Sequence, residues 1–545
     1  MANVPNLAFI TSANALKTQV IYLGNRFFDY LQNRLLLHLF SMKKILVFGA
    51  GKSSTVLIDF ILSSAVQENW ELVLVDTNLS LAQSKIGDRA YGKALSFDIS
   101  NEKERQSAIE ASDIVISLMP PVLHIQIAKD CILFKKNLLT ASYIDAQLKA
   151  LQQEIEDNGL LFLCEMGLDP GIDHMSAMQL IHQIKNNGGE IHSFYSHCGG
   201  LVAPESDNNP WHYKISWNPN NIVNAGKAGA VYKKDNQLTK MSYQQLFSEK
   251  RYVTIPNHEV LCWYPNRDSL SYINMYGLNS TATFIRTTLR HPDFMYGWRN
   301  IIELKLTDEK KEYETNERSL ADFFKEHMDK NGFSQWLEEK LHSQFDVTKG
   351  LLAELVNLVE IEQDATKKSV DPMEEFMMVD NKGSLQQLDI DDLKINAAAT
   401  LADKMHDASL TLKQLFYLGM DDDTTKINLG TASAVEILQF ALEKKLPLLP
   451  EDKDMVIMQH EVEYSINDKL FKNTSSMIIK GENANHTAMA KTVGLPLGIA
   501  LKNILNGTIT IKGLHMPVLK EIYNPILNEL ASYGICFTEQ VQNLG

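Results

Sequence analysis

The segment 43–76 constrains the fold of this chain more than any other part of the sequence. It begins with the continuous apolar run 45–48, turns through a glycine-rich stretch at 49–54, and continues with apolar residues at helical spacing over 56–64. A second predicted strand follows at 71–75, in which four apolar residues come after Glu71. Continuous apolar runs of this length indicate strands buried on both faces, and the strand–helix–strand order is that of a parallel βαβ unit.

The alternation of strand and helix continues beyond this unit. Further strands are predicted at 94–98, 114–117, 137–140 and 160–164, and further helices at 101–111 and after Pro121. Repeated alternation of this kind is typical of an α/β fold in which a doubly wound parallel sheet carries helices on both faces. We therefore predict such a sheet within residues 42–165.

A different pattern begins after this sheet. A helix is predicted from Asp173, its expected N-cap, to about residue 186, with a stop at Gly188 and Gly189. Short aromatic or β-branched segments predict antiparallel strands of an α+β domain at 194–197, 252–255, 260–264 and 284–289. Acidic amphipathic patterns predict helices over 315–446 with a loop at 364–383, before strands at 455–464 and 475–480 and a helix at 487–505.

These patterns divide the chain into consecutive parts. The predicted parts are an N-terminal extension at 1–41, a dinucleotide-binding domain at 42–165, the first part of an α+β substrate-binding domain at 166–314, an inserted all-helical domain at 315–446, and at 447–545 a return to the substrate domain with a C-terminal segment near the dinucleotide-binding domain. Met42 stands directly before the first strand, so 1–41 is interpreted as a poorly ordered extension upstream of the natural start, with a docking helix as the alternative.

Composition argues against several classes of protein. A formal charge of −15 repels phosphate backbones, so nucleic acid is not an expected partner. The chain has 45% hydrophobic and 22% charged residues and lacks a run of about 18 apolar residues, so no membrane span is expected. Five scattered cysteines without a C-x-x-C pair argue against a disulfide framework or a structural zinc site, so we expect no metal and a cytoplasmic location.

The glycine-rich turn carries a nucleotide-binding signal. Gly49 permits a tight turn, Gly51 lets the backbone approach a pyrophosphate, and Ser54 takes the third small position. Lys52 and Ser53 belong to the same turn but lack the spacing of a P-loop, so the expected ligand is a dinucleotide and not a nucleoside triphosphate.

The residue that ends the second strand bears on the choice of dinucleotide. Asp76 lies about 25 residues after Gly51, where a carboxylate binds the ribose 2′-hydroxyl of NAD and repels the 2′-phosphate of NADP. NAD is therefore favoured, and a simple turn is the alternative role of Asp76. The predicted cofactor-binding residues also include Asp98, Ser117 and Leu118, which follow or end later strands.

Later loops carry polar groups suited to a substrate. Ser142 and Tyr143 follow the fifth predicted strand and offer hydroxyls. Asp169 lies in a Pro-Gly loop and is the candidate ligand for a substrate ammonium. Arg267, Arg286 and Arg290 offer guanidinium groups for carboxylates, with surface ion pairs as the alternative.

Six motifs follow one another between residues 167 and 460. They are GLDPGIDH at 167–174, HCGG at 197–200 followed by LVAPE, YKISW at 213–217, YPNRD at 264–268, TLR at 288–290 and DMVIMQH at 454–460. Together they resemble the L-glutamate-forming saccharopine dehydrogenase family, also called saccharopine reductases. The likeness extends from about Met42 to the C-terminus.

The resemblance implies a Rossmann domain, an α/β domain for substrate and dimerisation, and a helical domain that closes the cleft, assembled as a homodimer. It implies that saccharopine, NAD(P)⁺ and water are interconverted with 2-aminoadipate 6-semialdehyde, L-glutamate and NAD(P)H in lysine metabolism, with NADP as the family's usual cofactor. The residues implied to line the saccharopine site are Ser142, Tyr143, Asp169, Arg267, Thr288, Leu289 and Arg290. The candidate catalytic residues are Tyr143, Asp169 and Cys198, of which Cys198 has a core position as its alternative.

The chain also departs from the family pattern, and other functions remain open. Asp76 and Thr77 stand where NADP-using members carry an arginine, and the continuation Trp217–Pro219 is unusual for the family. One alternative is a carboxynorspermidine-type reductase, although the YPNRD and TLR motifs favour a polycarboxylate. Another is an NAD(P)-binding regulator without turnover.

Overall fold

The computed structural model describes residues 42–340 and 409–545, together with residues 349–350, 376–379, 385–388 and 406–407. The predicted extension at 1–41 and most of the predicted loop at 364–383 lie outside these residues. The chain forms two compact units. The first unit contains the described residues up to Gly167 together with Leu497–Met516, and the second contains those of Leu168–Pro496 and Pro517–Gly545.

The strands are numbered in chain order. They are β1 Lys43–Phe48, β2 Trp70–Val75, β3 Gly92–Leu95, β4 Ile114–Ser117, β5 Asn137–Thr140, β6 Leu161–Leu163, β7 Glu190–Val202, β8 Ala230–Lys234, β9 Gln237–Met241, β10 Arg251–Val253, β11 Leu261–Pro265, β12 Arg267–Asp268, β13 Thr283–Arg290, β14 Lys311–Glu314, β15 Phe376–Val379, β16 Leu385–Leu388, β17 Thr431–Ser433, β18 Asp454–Ile466, β19 Lys469–Lys480, β20 Gly513–His515 and β21 Thr538–Asn543.

The helices are numbered in the same way. They are α1 Thr55–Glu68, α2 Leu79–Ile86, α3 Glu102–Glu110, α4 His124–Leu133, α5 Ala146–Lys149, α6 Gln152–Asp157, α7 Ile172–Asn186, α8 Pro219–Val223, α9 Tyr243–Leu246, α10 Leu270–Met275, α11 Pro292–Glu303, α12 Leu320–Lys330, α13 Ala434–Lys445, α14 Ala488–Leu505 and α15 Lys520–Ser532. Residues 333–340 and 409–417 are also helical. Among the described helices, none combines the length and apolar character that a membrane-spanning segment requires.

The first unit is built on a seven-stranded sheet with the order β20-β6-β5-β4-β1-β2-β3. All of its strand pairs are parallel. β1 lies inside the sheet. Along the chain, β2 and β3 are then added on one side of β1, and β4, β5 and β6 on the other. The prediction of a doubly wound parallel sheet is therefore confirmed, and β4 and β5 have the predicted bounds. The reversal of strand order between β1 and β4 is where such sheets bind ligands, at the carboxyl ends of the strands.

The second unit is built on a ten-stranded sheet whose main path is β10-β11-β13-β7-β18-β19-β21. The segments predicted as antiparallel strands form a mixed sheet instead, because β13 pairs with β7 in parallel while β18 pairs with β7 antiparallel. The long connection between β7 and β13 contains β8 to β12, and a connection of this length allows β13 to run parallel to β7. This arrangement places Cys198 of β7 beside Thr288 of β13.

One large apolar core of the second unit draws on residues from 211–306 and from 313–446. It includes the aromatic side chains of Trp211, Tyr213, Phe294 and Trp298, all nearly or fully buried. The region 315–446 supplies α12 and α13 to this core, as its amphipathic pattern predicted. It also contains β15, β16 and β17, strands that the prediction of an all-helical domain did not include.

Candidate active site

The glycine-rich turn of the first unit leaves β1 and enters α1 through the 3-10 turn Lys52–Ser54. Gly49 has a φ of +102°, and a Cβ there would lie 3.2 Å from the carbonyl oxygen of Leu118. Glycine is therefore required at 49 by the backbone itself. At Gly51, in contrast, a Cβ would meet no protein atom within 4 Å. The space beside Gly51 is open, as the approach of a pyrophosphate to this turn requires.

Asp76 holds this turn in place. Its carboxylate accepts the amide hydrogen of Ala50 at 2.8 Å and that of Asn78 at 2.9 Å. The hydrogen bond from Asn78 closes a turn at Asp76, and a turn is the alternative role that the sequence suggested for this residue. A carboxylate has about four acceptor positions, so Asp76 can still accept a hydrogen bond from a ribose hydroxyl.

The other predicted cofactor residues occupy varied positions in the first unit. Lys52 is exposed and Ser53 is half-buried. Asp98 is exposed, and its carboxylate accepts the amide hydrogen of Ser100 at 2.8 Å, a hydrogen bond that lowers the pKa of Asp98. Leu118 donates its amide hydrogen to the carbonyl oxygen of Phe48 at 2.9 Å, which ties the end of β4 to the end of β1.

A buried histidine connects two of the predicted site residues. His124 begins α4 and is 5% exposed. Its Nδ1 lies 2.9 Å from the hydroxyl of Ser117, and its Nε2 lies 2.7 Å from the hydroxyl of Ser142. Burial lowers the pKa of His124 to about 4, against a smaller opposing effect of Asp145. The imidazole is therefore neutral at pH 7.

Glu165, shortly before the second unit begins, fixes the loop that follows β5. Glu165 is buried and has a φ of +58°. Its amide donates to the carbonyl oxygen of Ser142 at 3.1 Å, and its carboxylate accepts the amide hydrogen of Ile144 at 3.2 Å. Tyr143, between these two bonds, is half-buried. Loop 142–144 thus has a defined backbone from which the Tyr143 side chain extends.

In the second unit, Arg286 of β13 joins the two aspartates of the GLDPGIDH motif. Its Nη2 lies 2.6 Å from Asp169 and 2.7 Å from Asp173, and the side chain of Arg286 is 4% exposed. The ring of Tyr272 lies under the guanidinium, 4.4 Å from ring centroid to Cζ. The structure therefore makes Asp169 and Asp173 part of one buried ion-pair cluster.

The prediction that Asp173 is an N-cap is wrong. The N-cap of α7 is Gly171, and Asp173 lies in the first turn, where its carboxylate accepts the amide hydrogen of Gly171 at 2.6 Å. Burial by itself would raise the pKa of Asp173, but the charges of His174 and Arg286 lower it below its usual range. Asp173 is held as a carboxylate because it pairs with a buried guanidinium.

The TLR motif places a second buried guanidinium at the end of β13. Arg290 is 4% exposed, and its Nη1 donates to the carbonyl oxygen of Leu289 at 2.8 Å. The rings of Tyr213 and Phe294 lie 5.5 Å from its Cζ. Its Nε–H is buried and has no hydrogen-bond partner among the described residues. A buried donor without a partner is costly, so Arg290 is suited to an acceptor that arrives with a ligand.

The remaining predicted substrate residues differ in exposure. Thr288 is half-buried, whereas Leu289 is fully buried in an apolar cluster. Cys198 is 6% exposed, and burial, together with the charges of Asp169 and Asp173, raises the pKa of its thiol well above the usual value. The Cys198 thiol is therefore neutral at pH 7, and it could take part only as a weak hydrogen-bond donor. Arg267 is exposed and has a φ of +45°.

One group of the second unit has side chains that could bind a metal ion. Ligand atoms of His212, His291 and Asp293 lie within 4.8 Å of one another. Hydrogen bonds to Asp207 and then to Asp293 raise the pKa of His212 to about 10. A protonated imidazole has no lone pair for a metal. His212 instead forms ion pairs with Asp207 at 2.6 Å and with Asp293 at 3.4 Å.

Sequence reasoning missed His124, and it named the guanidinium of Arg286 without its aspartate partners. His124 follows the Pro120–Pro121 pair directly after β4, and a histidine at the carboxyl edge of a parallel sheet was an available signal. Arg286 lies four residues before Arg290 on the same strand and therefore on the same face of the sheet. Its partner Asp169 is too distant in sequence for any spacing rule to suggest.

Two family models cover most of this chain. The model of the saccharopine dehydrogenase NADP binding domain matches residues 45–163, and that of the saccharopine dehydrogenase C-terminal domain matches residues 167–535.

Relatives and solved structures show the same likeness. The chain is 30% identical over 501 residues to the saccharopine dehydrogenase [NADP(+), L-glutamate-forming] of Saccharomyces cerevisiae, which covers 91% of this chain and 99% of that protein. It is 31% identical over 506 residues to the mitochondrial alpha-aminoadipic semialdehyde synthase of Bos taurus, covering 91% of this chain and 48% of that protein. The chain thus spans about half the length of the curated synthases it matches.

The solved structure of apo saccharopine dehydrogenase (L-Glu forming) from Saccharomyces cerevisiae superposes with a TM-score of 0.72 at 26% identity, covering 92% of this chain and all of that one. This likeness extends over both compact units. By family models, relatives and fold alike, the chain belongs to the saccharopine dehydrogenase family.

Proposed function

We propose that this protein is an L-glutamate-forming saccharopine dehydrogenase, an NAD(P)-dependent oxidoreductase that acts on the CH–NH group of a secondary amine in lysine metabolism. The observation that carries the proposal is the buried guanidinium of Arg290, whose Nε–H has no partner among the described residues. Saccharopine has three carboxylates, and a carboxylate is the acceptor that such a donor requires. The saccharopine dehydrogenase names of the fungal relatives support the same substrate.

The first unit fits a nicotinamide dinucleotide. Gly51, with open space beside it, would hold the pyrophosphate of the cofactor, and Asp76 would accept hydrogen bonds from its ribose hydroxyls. Ser117 and Leu118 end β4 at the strand-order reversal, where the reactive end of the cofactor is expected. When bound, the nicotinamide supplies a hydride acceptor for the carbon next to the secondary nitrogen of saccharopine.

The residues of this chain then have separate roles. Arg290 binds a substrate carboxylate, and Asp169, held by Arg286, holds an ammonium group. The hydroxyls of Ser142 and Tyr143 hydrogen-bond to the substrate around the reacting nitrogen. The oxidised substrate is an imine, to which water adds, and the carbinolamine collapses to 2-aminoadipate 6-semialdehyde and L-glutamate.

We propose that Cys198 and the remaining substrate residues contact or support the substrate and take no part in proton transfer. The neutral thiol of Cys198 contacts the substrate without acting as a base, since its raised pKa leaves no thiolate at pH 7. Thr288 and exposed Arg267 complete the polar lining, and Leu289 supports it from the apolar cluster.

The cofactor is a point on which the sequence and the relatives differ. The matching domain model and the fungal relatives are named for NADP. We propose that this chain prefers NAD, because a carboxylate at Asp76 repels a 2′-phosphate. The support is the position of Asp76 directly after β2, where its carboxylate accepts the amide hydrogens of Ala50 in the glycine turn and of Asn78.

Other parts of the proposal concern organisation. We propose a cytoplasmic homodimer in which residues 42–165 bind the cofactor and residues 166–314 and 447–545 bind substrate. The animal relatives are named as mitochondrial, so fractionation of cells is the appropriate check of location. Light scattering on the purified protein measures the oligomer.

A spectrophotometric assay tests the activity. The protein is mixed with saccharopine and either NAD⁺ or NADP⁺, and reduced cofactor and released L-glutamate are measured in parallel. The proposal expects both products in equal amounts. Cofactor reduction with carboxynorspermidine and none with saccharopine would favour the carboxynorspermidine-type reductase. Tight cofactor binding without any reduction would favour a regulator.

A further inference from the structure

Arg290 differs from the other buried cations in the described part of this chain. Four lysine or arginine side chains are buried there. Three of them have a carboxylate oxygen within 2.7 Å, namely Arg105, Lys214 and Arg286. Arg290 has no carboxylate partner among the described residues, and the rings of Tyr213 and Phe294 lie beside its guanidinium instead. Aromatic rings, and not a described carboxylate, therefore stabilise this buried charge.

The two rings lie on one side of the guanidinium. Each ring centroid is 5.5 Å from Cζ of Arg290, and the centroids of Tyr213 and Phe294 are only 5.1 Å apart. Rings on opposite sides of the cation would lie much farther from each other. Nη1 donates to the carbonyl oxygen of Leu289 at 2.8 Å. The rings and this carbonyl oxygen fix the guanidinium, while its Nε–H keeps no acceptor among the described residues.

Tyr213 is held both at its ring and at its hydroxyl. The residue is 1% exposed, and its ring packs against that of Phe294. Its hydroxyl accepts the indole N–H of half-buried Trp217 at 2.8 Å. A ring that is packed along its side and bonded at its far end can shift only by losing the hydrogen bond or opening a void. Tyr213 therefore offers Arg290 a fixed surface.

Arg290 belongs to the face of β13 that carries other proposed substrate residues. Side chains two residues apart on a strand point to the same face, so Arg290 and Thr288 share one face about 7 Å apart. Thr288 is half-buried, and Cys198 lies beside it in β7. Arg290 is not fully enclosed, since 4% of its surface is exposed. A ligand that contacts Thr288 is therefore close to the guanidinium.

We propose that Tyr213 is a positioning residue for substrate binding: with its hydroxyl held by Trp217, its ring fixes the guanidinium of Arg290 in the orientation that receives a substrate carboxylate. The inference rests on the proposed function, which supplies that carboxylate. Tyr213 acts through Arg290.

Three variants remove parts of this support. Tyr213→Leu removes the ring, and it is expected to raise the KM for saccharopine about tenfold, the scale of a desolvated contact between a cation and a ring. Tyr213→Phe keeps the ring but loses the hydroxyl, and Trp217→Phe loses the donor of the same hydrogen bond. Each is expected to raise this KM about threefold, and the double variant no further, because all three lose one bond. The KM for the dinucleotide should change less than about twofold.

A double-mutant cycle shows whether Tyr213 acts through Arg290. In the background of Arg290→Ala, Tyr213→Leu is expected to raise the saccharopine KM by less than about twofold, because the group that it positions is already absent. A tenfold rise in both backgrounds would show that Tyr213 acts independently of Arg290, and the inference is then overturned. Trp217→Phe, which leaves the ring in place, gives the same comparison if Tyr213→Leu fails to fold.

A second tryptophan–tyrosine pair gives a matched control. The hydroxyl of Tyr243 accepts the indole N–H of Trp298 at 3.1 Å, and both residues belong to the same apolar core as Tyr213. Tyr243→Phe and Tyr213→Phe are expected to lower Tm by similar amounts, but only Tyr213→Phe should raise the KM for saccharopine. An equal rise in the two variants would assign the effect to a weakened core and reject a positioning role of Tyr213.

The wild-type protein separates this inference from the proposed function. If it binds saccharopine in calorimetry but oxidises none, the proposed activity is wrong, and the saccharopine dissociation constants of the same variants decide on Tyr213. Tyr213→Leu must then weaken binding about tenfold, and less than about twofold in the background of Arg290→Ala. If the wild-type protein binds no saccharopine, the proposed substrate and the role of Tyr213 in binding it are both rejected.

Discussion

The guanidinium of Arg286 lies 2.6 Å from the carboxylate of Asp169, although 117 residues separate them in the sequence. The same nitrogen lies 2.7 Å from Asp173. In this contact one guanidinium meets two carboxylates, and Nδ1 of His174 lies 3.7 Å from Asp173 as a further partner. The contact fixes the position of the Asp169 carboxylate, which agrees with its proposed role as the ligand of an ammonium group.

Substitution of Arg286 is expected to destabilise the second unit strongly. Arg286→Ala removes the guanidinium from two carboxylates in a region where Asp173 is 1% exposed, and loss of one partner of a buried ion pair costs about 3–5 kcal/mol. Urea denaturation measures the loss. Arg299→Ala is the matched control, because its pair with Glu303 is on the surface of α11 and is worth only about 0.3–0.5 kcal/mol. Equal losses in the two variants would contradict the structural role of the cluster.

Much of the fold could be predicted from local pattern. The strands β4 and β5 are apolar runs bounded by polar residues, and their predicted bounds agree with the structure. Local sequence patterns could not predict contacts between segments that are distant in the sequence. The N-cap at Asp173 was predicted from residue type, but a carboxylate at a helix start can equally pair with a distant arginine. The bridge through His124 depends on which strands are neighbours, and that follows only from the sheet order.

Arg290→Ala is expected to impair substrate binding selectively. The variant removes the buried donor assigned to a substrate carboxylate, and a hydrogen bond to a charged group is worth about 1.5–3 kcal/mol, or about 10- to 150-fold in KM for saccharopine. The KM for the dinucleotide should not change. Steady-state kinetics with each ligand varied in turn measures both. An equal rise in the two KM values would contradict the assignment of Arg290.

Asp76→Asn is expected to reduce the preference for NAD. The substitution removes the charge that repels a 2′-phosphate, and the ratio of kcat/KM for NAD over NADP should fall about tenfold or more. Asp113→Asn is the control, since the Asp113 carboxylate also accepts a backbone amide, from Lys44 at 2.8 Å, but lies before β4 and not after a strand. A wild-type preference for NADP that Asp76→Asn leaves unchanged would show that Asp76 only supports the turn.

Cys198→Ser is expected to retain most of the activity. Burial and two nearby carboxylates keep the thiol protonated at pH 7, so the substitution replaces one neutral donor by another of similar size, and kcat/KM should fall by less than about fivefold. The pH profile of kcat should keep its shape. Cys262→Ser is the matched control in β11, where burial raises the thiol pKa to about 12. Loss of one limb of the pH profile in Cys198→Ser alone would instead make Cys198 an acid–base residue.

The ion-paired His212 predicts a specific dependence of stability on pH. Hydrogen bonds to Asp207 and Asp293 raise the folded-state pKa of His212 to about 10, above the usual 6.5. Because the folded state binds this proton more tightly, the stabilisation is fully present below about pH 6.5 and is lost as the pH rises through about 10.

The variant His212→Gln isolates this contribution. The difference in Tm between wild type and His212→Gln should be largest near pH 6 and should shrink steadily toward pH 10. Asp293, whose pKa the hydrogen bonds from His212 and His406 lower to about 2 although burial alone would raise it, stays ionised across this range. Asp293 therefore does not contribute to the pH dependence between 6 and 10. A Tm difference that stays constant over this range would contradict the ion-paired state of His212.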